Sequence, residues 1–155
     1  NVLLDKADHP IVCDFGLSKL MEDSKARQTG AAGSPVYMAP ELIWRQDYTN
    51  SIDVYAYAYV CYELLTETLA FSDVQSIPEL VDLVCNKHKR PPLDGFDDGV
   101  LPMAFRKFIS LCWNDDPTKR PSFKEIVSLF VKGKLRISGV DENIFNDFVN
   151  SIPRY

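Results

Sequence analysis

Two short motifs near the start of the chain contain the residue types that could do chemistry. The first is Asp14, Phe15 and Gly16, and the second is Ala-Pro-Glu at residues 39–41. Asp14 offers a carboxylate, and Asn1, which lies 13 residues earlier, offers an amide oxygen. Hard divalent cations prefer oxygen ligands, and Mg²⁺ is often held by only one or two protein groups. These two side chains are therefore candidate ligands of such a cation.

The composition is that of one ordinary globular domain. The chain has 155 residues, of which 46% are hydrophobic and 25% are charged, so a single core can form. The formal net charge is −5, whereas nucleic-acid-binding domains usually have a basic face. We therefore expect no nucleic-acid partner. A basic run at residues 87–90 is interpreted as the solvated end of a helix, where cations suit the helix dipole.

The cysteines and the apolar segments favour a cytoplasmic setting. The four cysteines lie far apart and include no Cys-x-x-Cys pair, which disfavours zinc binding and a disulfide framework. We expect reduced, mostly buried thiols. No signal peptide is recognisable in the sequence. The longest apolar stretch, residues 52–65, is too short for a bilayer and contains Asp53 and Glu63, so we expect a buried helix and no membrane segment.

Local patterns predict a small hairpin followed by helices. Apolar residues 2–4 and 11–13 flank a turn-forming segment and predict two strands. Residues 17–33 lose periodicity and gain Ser, Thr, Gly and charge, which predicts a long functional loop. Helices are predicted at residues 51–65, packed on all sides; after Ser76 and after Ser122, each with a capping box; after Pro102; and, as an amphipathic piece, at residues 141–150. Gly133 is expected to end the helix that follows Ser122.

Apolar residues at helical spacing fall on one side of several of these helices. The predicted groups are Leu80, Leu83 and Val84 on one face; Phe105, Phe108, Ile109 and Cys112 on a stripe; and Ile144, Phe145, Phe148 and Val149 together. The helix after Ser122 begins with the apolar residues Ile126, Val127, Leu129 and Phe130.

The order and spacing of these motifs resemble the large lobe of eukaryotic-type protein kinases. The resemblance covers residues 1 to 131 and leaves residues 132–155 as a C-terminal tail with a short amphipathic helix. It implies a mainly α fold, the helical large lobe with a small N-terminal β-hairpin, within an α+β parent fold. Residues 112–123 are the strongest downstream match. Together with Arg-Pro-Pro at residues 90–92, they are most similar to the tyrosine-kinase-like group of serine/threonine kinases.

The resemblance gives roles to the residues near the start. Asn1 and Asp14 match the family's metal ligands, which hold Mg²⁺ against the phosphates of ATP. Cys13 is implied to line the floor of the nucleotide site beside Asp14. Phe15 is implied to pack under the metal site, while Gly16 permits the backbone turn. From the residues alone, an Asp-x-Gly loop turn with a buried Phe stays open as the alternative.

Residues 33–41 resemble the substrate-docking loop of the family. Ser34 stands where the family usually has Thr, and it keeps the hydroxyl that reaches the catalytic residues. At the two positions before the methionine that matches Met38, tyrosine kinases usually have a basic residue and Trp. This chain has Val36 and Tyr37 there. The resemblance therefore implies a serine or threonine acceptor in a protein substrate.

Three further residues are implied to be structural. Glu41 and Arg120 match a buried ion pair that holds the docking loop against the far end of the lobe. Breaking such a pair from one side is costly because it leaves a charge buried without a partner. Asp53 matches a helix-start Asp that accepts hydrogen bonds from the catalytic loop. The alternative for Asp53 is an ordinary acid in the first turn of a helix.

The function implied by the resemblance is that of a protein serine/threonine kinase, which transfers the γ-phosphoryl group of ATP to protein hydroxyls. The catalytic Asp is expected about five residues before Asn1, and the sequence contains no Gly-x-Gly-x-x-Gly. Because phosphoryl transfer depends on positioning and electrostatics, we expect the chain alone to be inactive, which a kinase assay of the purified chain checks. A pseudokinase or interaction module built on the same lobe stays open as the alternative.

The predicted loop at residues 17–33 contains candidate regulatory phosphosites. These are Ser24 and Thr29, and Thr29 is preferred because it lies nearer to the docking loop. A phosphate adds about −1.5 to −2 charges and can order a loop by pairing with Arg or Lys. We expect phosphate at one of these positions in cells and reduced kinase activity when both are replaced by Ala in the full-length protein. Full activity of that double variant would contradict the role.

Overall fold

The computed structural model describes residues 1–18 and 34–151 of the chain. Over these residues the fold is mainly α-helical, as predicted, and the sheet is a two-stranded hairpin. The elements are β1 (Val2–Leu4), β2 (Pro10–Val12), α1 (Pro40–Ile43), α2 (Ser51–Thr66), α3 (Ile77–Val81), α4 (Met103–Cys112), α5 (Phe123–Val131) and α6 (Glu142–Ser151). Within the described ranges, no helix combines the length and the apolar character that crossing a bilayer requires.

The N-terminal hairpin is antiparallel and pairs Val2 with Val12. Asp5 shapes the turn between the strands, because its Oδ1 accepts hydrogen bonds from the amides of Ala7 at 2.7 Å and His9 at 2.9 Å. The second strand begins and ends one residue earlier than the predicted segment. The apolar side chains of both strands stay half or more exposed, so the hairpin contributes little to the core of the described residues.

Helices α2 and α4 pack against each other and form the centre of the core. Tyr55 and Tyr59 on α2 and Ile109 and Cys112 on α4 are fully buried, and all four residues of the predicted stripe on α4 are buried. The prediction that α2 packs on all sides is wrong for Leu64, which is 75% exposed. Its neighbours cover only part of the circumference of α2, and Leu64 lies on the uncovered side.

All four cysteines are free thiols. Cys61 and Cys112 are buried, whereas Cys13 and Cys85 are half-buried. Burial raises the pKa of Cys61 to about 11 and the pKa of Cys112 to about 12. The two buried thiols therefore stay protonated at neutral pH and behave as small apolar groups of the core.

Helix α3 begins with half of the predicted capping box. The Ser76 hydroxyl accepts a hydrogen bond from the Glu79 amide at 3.3 Å, but the Glu79 carboxylate returns none to the Ser76 amide. A π-helical turn, Asp82–Asn86, continues directly from α3. Leu80 and Val84, from the predicted apolar stripe, are buried on either side of this change in helix type.

Helix α5 has the predicted capping geometry at both ends. Ser122 and Glu125 form a complete capping box, in which the Ser122 amide donates to the Glu125 carboxylate at 2.7 Å. Gly133 follows the helix at a φ of 66°, a left-handed conformation that favours glycine, and its amide donates to the Phe130 carbonyl at 2.9 Å. Of the apolar residues in this helix, Ile126 is buried, whereas Val127 is 53% exposed.

Helix α6 lies against the hairpin turn. Asp141 begins it, with Oδ1 accepting hydrogen bonds from the amides of Asn143 at 2.8 Å and Ile144 at 3.2 Å. The rings of His9 and Phe148 pack with their centroids 5.4 Å apart. Ile144, Phe145 and Phe148 lie on the same side of α6, as predicted. Ile144 is nevertheless 70% exposed, because the hairpin turn covers only one edge of the helix.

Candidate functional site

The hairpin brings Asn1 and Asp14 to the same end of the sheet. Val2 pairs with Val12, so Asn1 lies opposite Cys13. The Cys13 amide donates to the Asn1 carbonyl at 2.9 Å, and the Cys13 thiol donates to the same oxygen at 3.2 Å. Asp14 is the next residue. The structure therefore groups the two predicted metal ligands with the residue predicted to line the nucleotide site.

Asp14 has a backbone conformation that is uncommon outside glycine. Its φ is 62° and its ψ is 70°, and its Oδ1 accepts a hydrogen bond from the Gly16 amide at 3.3 Å. A Cβ added at Gly16 would lie 3.2 Å from this oxygen, so glycine leaves room for the turn. Left-handed backbone of this kind recurs at functional sites. In the described ranges, Oδ2 of Asp14 accepts no hydrogen bond, which leaves one carboxylate oxygen for a ligand.

Phe15 is the residue of this group that the structure places differently from the prediction. Both the family role and the loop-turn alternative require a packed ring, whereas the ring is 68% exposed. The backbone forms a 3₁₀ turn, Phe15–Leu17, which directs this side chain away from the described core. Phe15 therefore extends the exposed apolar surface of the hairpin.

The predicted docking segment begins at Ser34 and forms a 3₁₀ turn, Pro35–Tyr37. Ser34 is exposed, and its carbonyl accepts a hydrogen bond from the Tyr37 amide at 3.2 Å. The Tyr37 hydroxyl donates to Oε2 of Glu63 at 2.9 Å, while Oε1 of Glu63 accepts from the Ala70 amide at 2.9 Å. Burial raises the pKa of Tyr37, and the bond to Glu63 raises it further, so the hydroxyl stays a donor at neutral pH. Sequence reasoning missed this link from the segment to α2, because neither spacing nor periodicity identifies it.

The ion pair expected between Glu41 and Arg120 is present and buried. Its two bonds are bidentate, with Nη1 to Oε1 at 2.6 Å and Nη2 to Oε2 at 3.0 Å. The Arg120 side chain is fully buried and that of Glu41 is 6% exposed. Arg120 also donates from Nε to the Asn114 carbonyl at 2.8 Å and from Nη1 to the Ser51 carbonyl at 3.1 Å. The guanidinium thus connects α1, the first residue of α2 and the segment before α5.

A second arginine belongs to the same buried network. The guanidinium carbons of Arg120 and Arg90 lie 4.9 and 5.2 Å from the centroid of the Tyr55 ring. Arg90 also donates to the carbonyls of Trp113 and Val84, each at 3.1 Å. The interpretation of the basic run as a solvated helix end is therefore wrong for Arg90. Its guanidinium donates to backbone carbonyls instead of being hydrated at the surface. The only sequence feature that distinguished Arg90 from the rest of the basic run was its position before two prolines.

Arg90 also pairs with the carboxylate of Asp115, which in turn pairs with His88 at 3.0 Å. Asp115 lies in the segment between α4 and α5, so this contact ties the end of the π-helical turn to the region that holds Arg120. Lys87 of the same run does remain at the surface, where it pairs with Asp82 at 2.7 Å.

Asp53 lies in the first turn of α2, two residues after the carbonyl that Arg120 contacts. Its side chain is exposed, yet the surrounding protein desolvates it enough to raise the pKa of the carboxyl. No hydrogen bond or ion pair to its carboxylate is formed by the residues that the structure describes. Both sequence interpretations, an acceptor for another segment and a plain first-turn acid, fit this position.

The predicted site residues thus fall into two groups. Asn1, Cys13 and Asp14 lie at the end of the hairpin, whereas Glu41 and Arg120 lie with the docking segment. Ser24 and Thr29 lie outside the described residues. In the part of the chain that the structure describes, no three His, Cys, Asp or Glu side chains come together as a ready-made metal cluster.

Comparison with known proteins identifies the family. Residues 1–130 match the family model of the protein kinase domain. This match covers most of the chain, and the chain therefore belongs to the protein kinase family.

Several curated proteins of Dictyostelium discoideum are similar to the chain. A probable serine/threonine-protein kinase is 42% identical over 129 residues, and the dual specificity protein kinase shkC is 39% identical over 132 residues; each alignment covers 83% of this chain. The dual specificity protein kinase shkE is 33% identical over 150 residues, or 94% of the chain. The alignments cover 13%, 25% and 20% of these relatives, respectively, so the chain corresponds to a minor part of each.

The buried ion pair predicts a large difference between two glutamate substitutions. Glu41→Ala leaves Arg120 buried without its carboxylate, and we expect the free energy of unfolding to fall by about 3–5 kcal/mol. The matched control is Glu142→Ala, which removes an exposed ion pair with Arg136 at 3.4 Å and should cost less than about 1 kcal/mol. Urea unfolding of both variants measures the difference. Equal losses would show that burial of the pair does not govern its contribution.

The raised pKa of Asp53 predicts a gain of stability when the charge is removed. The folded chain binds a proton at the Asp53 carboxyl more readily than the unfolded chain does. Ionisation of this carboxyl therefore lowers the stability of the fold as the pH rises through the ordinary carboxyl range. We expect Asp53→Asn to raise the Tm at neutral pH and the gain to vanish near pH ~3. Asp94→Asn, at an exposed acid, should leave the Tm unchanged. A lower Tm for Asp53→Asn at neutral pH would mean that the carboxylate has a stabilising partner.

Proposed function

We propose that the chain is part of a protein kinase that transfers the γ-phosphoryl group of ATP to serine or threonine hydroxyls of protein substrates. The observation that supports this most strongly is the hairpin register, which sets Asn1 beside the segment of Cys13 and Asp14. Membership of the protein kinase family and the matching order of motifs support it further. The activity, substrates and partners of the whole protein are included in this proposal.

The residues at the end of the hairpin fit a nucleotide-bound Mg²⁺. Mg²⁺ usually takes one or two protein oxygens and completes its shell with water and phosphate. Asp14 offers Oδ2, which accepts no hydrogen bond in the described ranges, while Oδ1 is oriented by the Gly16 amide. Asn1 would add its amide oxygen, and Cys13 would lie at the floor of the nucleotide site. Bound Mg²⁺ would neutralise charge on the phosphate oxygens.

The docking segment is the proposed location of the acceptor. Ser34 is exposed and can approach an acceptor hydroxyl, while the Tyr37 bond to Glu63 holds the following turn against α2. A hydroxyl at position 34 and the absence of a basic residue and Trp before Met38 favour Ser and Thr acceptors. Because shkC and shkE are named dual specificity protein kinases, tyrosine is the second acceptor that an assay must include.

Replacement of Asp14 is the direct test of this proposal. In the full-length protein, Asp14→Asn removes the carboxylate charge with little change of shape, and we expect at least a ~100-fold loss of kcat, as for other groups that stabilise charge in the transition state. The measurement is transfer of labelled γ-phosphate to Ser, Thr and Tyr peptides of otherwise identical sequence.

The control for this assay is Asp94→Asn, which changes an exposed acid outside the hairpin and should leave kcat unaltered. Transfer that persists in Asp14→Asn would contradict the role of Asp14. Transfer to Tyr at a rate equal to that of Ser and Thr would contradict the acceptor preference, and absence of transfer by the unaltered full-length protein would favour a pseudokinase.

A further inference from the structure

A groove of about 740 Å³ lies between the hairpin turn and helix α6. Its floor is largely apolar. The side chains of Pro10, Val140, Ile144, Phe145 and Phe148 line it. Ile144 is 70% exposed and Val140 is 40% exposed, so apolar surface is available in the groove without any rearrangement of α6. The groove lies at the opposite end of the hairpin from Asn1 and Asp14, because it is lined by the turn that joins the two strands.

The hairpin wall of the groove is held in a defined shape. Asp5 accepts hydrogen bonds from the amides of Ala7 and His9 and also pairs with Nδ1 of His9 at 3.4 Å. These bonds to Asp5 lower the pKa of its carboxyl, with the backbone bond from His9 as the largest cause. The His9 ring in turn packs against Phe148 of α6. The two walls are therefore connected at the base of the groove.

The helix wall is also attached to the end of α5. The Arg136 guanidinium lies 4.2 Å from the centroid of the Phe145 ring and donates to the Phe130 carbonyl at 2.9 Å. Its Nε lies 3.4 Å from Oε1 of Glu142, in the first turn of α6. These contacts attach α6 to the end of α5 and keep its apolar side towards the groove.

Acidic side chains surround this apolar floor. Asp8, Asp141 and Asp147 all line the groove, and within the described residues no Lys or Arg does. Asp141 is engaged with amides at the start of α6, whereas the carboxylates of Asp8 and Asp147 make no hydrogen bond or ion pair to the described part of the chain. Two carboxylates are thus free to meet cations at an apolar surface.

We propose that this groove docks a protein segment in which basic and apolar residues alternate, so that cations meet Asp8 and Asp147 while apolar side chains cover Ile144 and Val140. Charge complementarity selects this occupant, because an acidic rim repels nucleic acid, anionic lipid and acidic peptides. The apolar floor supplies contact area that a purely basic segment would leave unused. The site is separate from the proposed nucleotide site and does not depend on kinase activity.

Fluorescence anisotropy with three labelled peptides tests the proposal on the full-length protein. The probe has alternating Arg and Leu, and its two matched peptides have Glu in place of Arg or Ser in place of Leu. We expect only the Arg–Leu peptide to bind, with an affinity that falls as salt is added, because exposed charges are screened. Asp147→Lys should weaken its binding by about tenfold, and Asp8→Asn, which tolerates the left-handed backbone at that position, should weaken it less.

Matched controls separate the groove from general charge and hydrophobicity. Asp94→Lys changes the net charge as Asp147→Lys does, but outside the groove, and should leave binding unchanged. Ile144→Ser should abolish binding, whereas Leu69→Ser, at a residue of similar exposure (68%), should not. Circular dichroism confirms that each variant is folded.

Three results would overturn the proposal. The first is binding of all three peptides with similar affinity, and the second is an equal loss of peptide affinity in the groove variants and their controls. The third is no binding of the Arg–Leu peptide, as expected if another part of the protein covers the groove. Each of these outcomes leaves the proposed kinase activity untouched.

Discussion

The buried ion pair between Glu41 and Arg120 is the interaction on which the arrangement of the described helices depends. Two charges removed from water destabilise a fold unless good geometry and further hydrogen bonds compensate them. Here the carboxylate is bound by two nitrogens, and Arg120 gives its remaining contacts to the carbonyls of Asn114 and Ser51. One side chain therefore joins α1, the start of α2 and the segment before α5. The docking segment ends at α1, so its position relative to the core depends on a residue 79 positions further along the chain.

The aromatic core extends this constraint to the rest of the molecule. The guanidinium groups of Arg120 and Arg90 both lie within cation–π distance of the Tyr55 ring. Arg90 donates to the carbonyls of Val84 and Trp113, and these bonds link it to the π-helical turn and to the end of α4. The Tyr37 bond to Glu63 anchors the middle of the docking segment to α2. A segment proposed to receive substrate is therefore held by a buried ion pair at Glu41 and by a partly buried hydrogen bond at Tyr37.

Sequence reasoning succeeded where local rules or a family motif determine the structure. The Ser122 capping box and the left-handed Gly133 follow from short-range chemistry, and the ion pair followed from matching two motifs. One local prediction succeeded only in part, because the Glu79 carboxylate does not complete the capping box at Ser76. The other failures concern tertiary contacts. Periodicity shows that Leu64 is apolar but cannot show that no neighbour covers it, and a basic run looks solvated until a fold supplies carbonyls for Arg90. The groove between the hairpin turn and α6 was equally invisible, because distant residues create it.

Native-state hydrogen exchange in Glu41→Gln measures the central claim most directly. The substitution keeps the shape of the side chain and removes its charge, so Arg120 loses its anionic partner while the packing is preserved. We expect the amides of Tyr37, Met38, Leu42 and Ile43, which donate within the docking segment and α1, to lose protection far more than the amides of α4. A uniform loss over all helices, or unchanged protection at these four amides, would contradict the claim that the ion pair positions the docking segment.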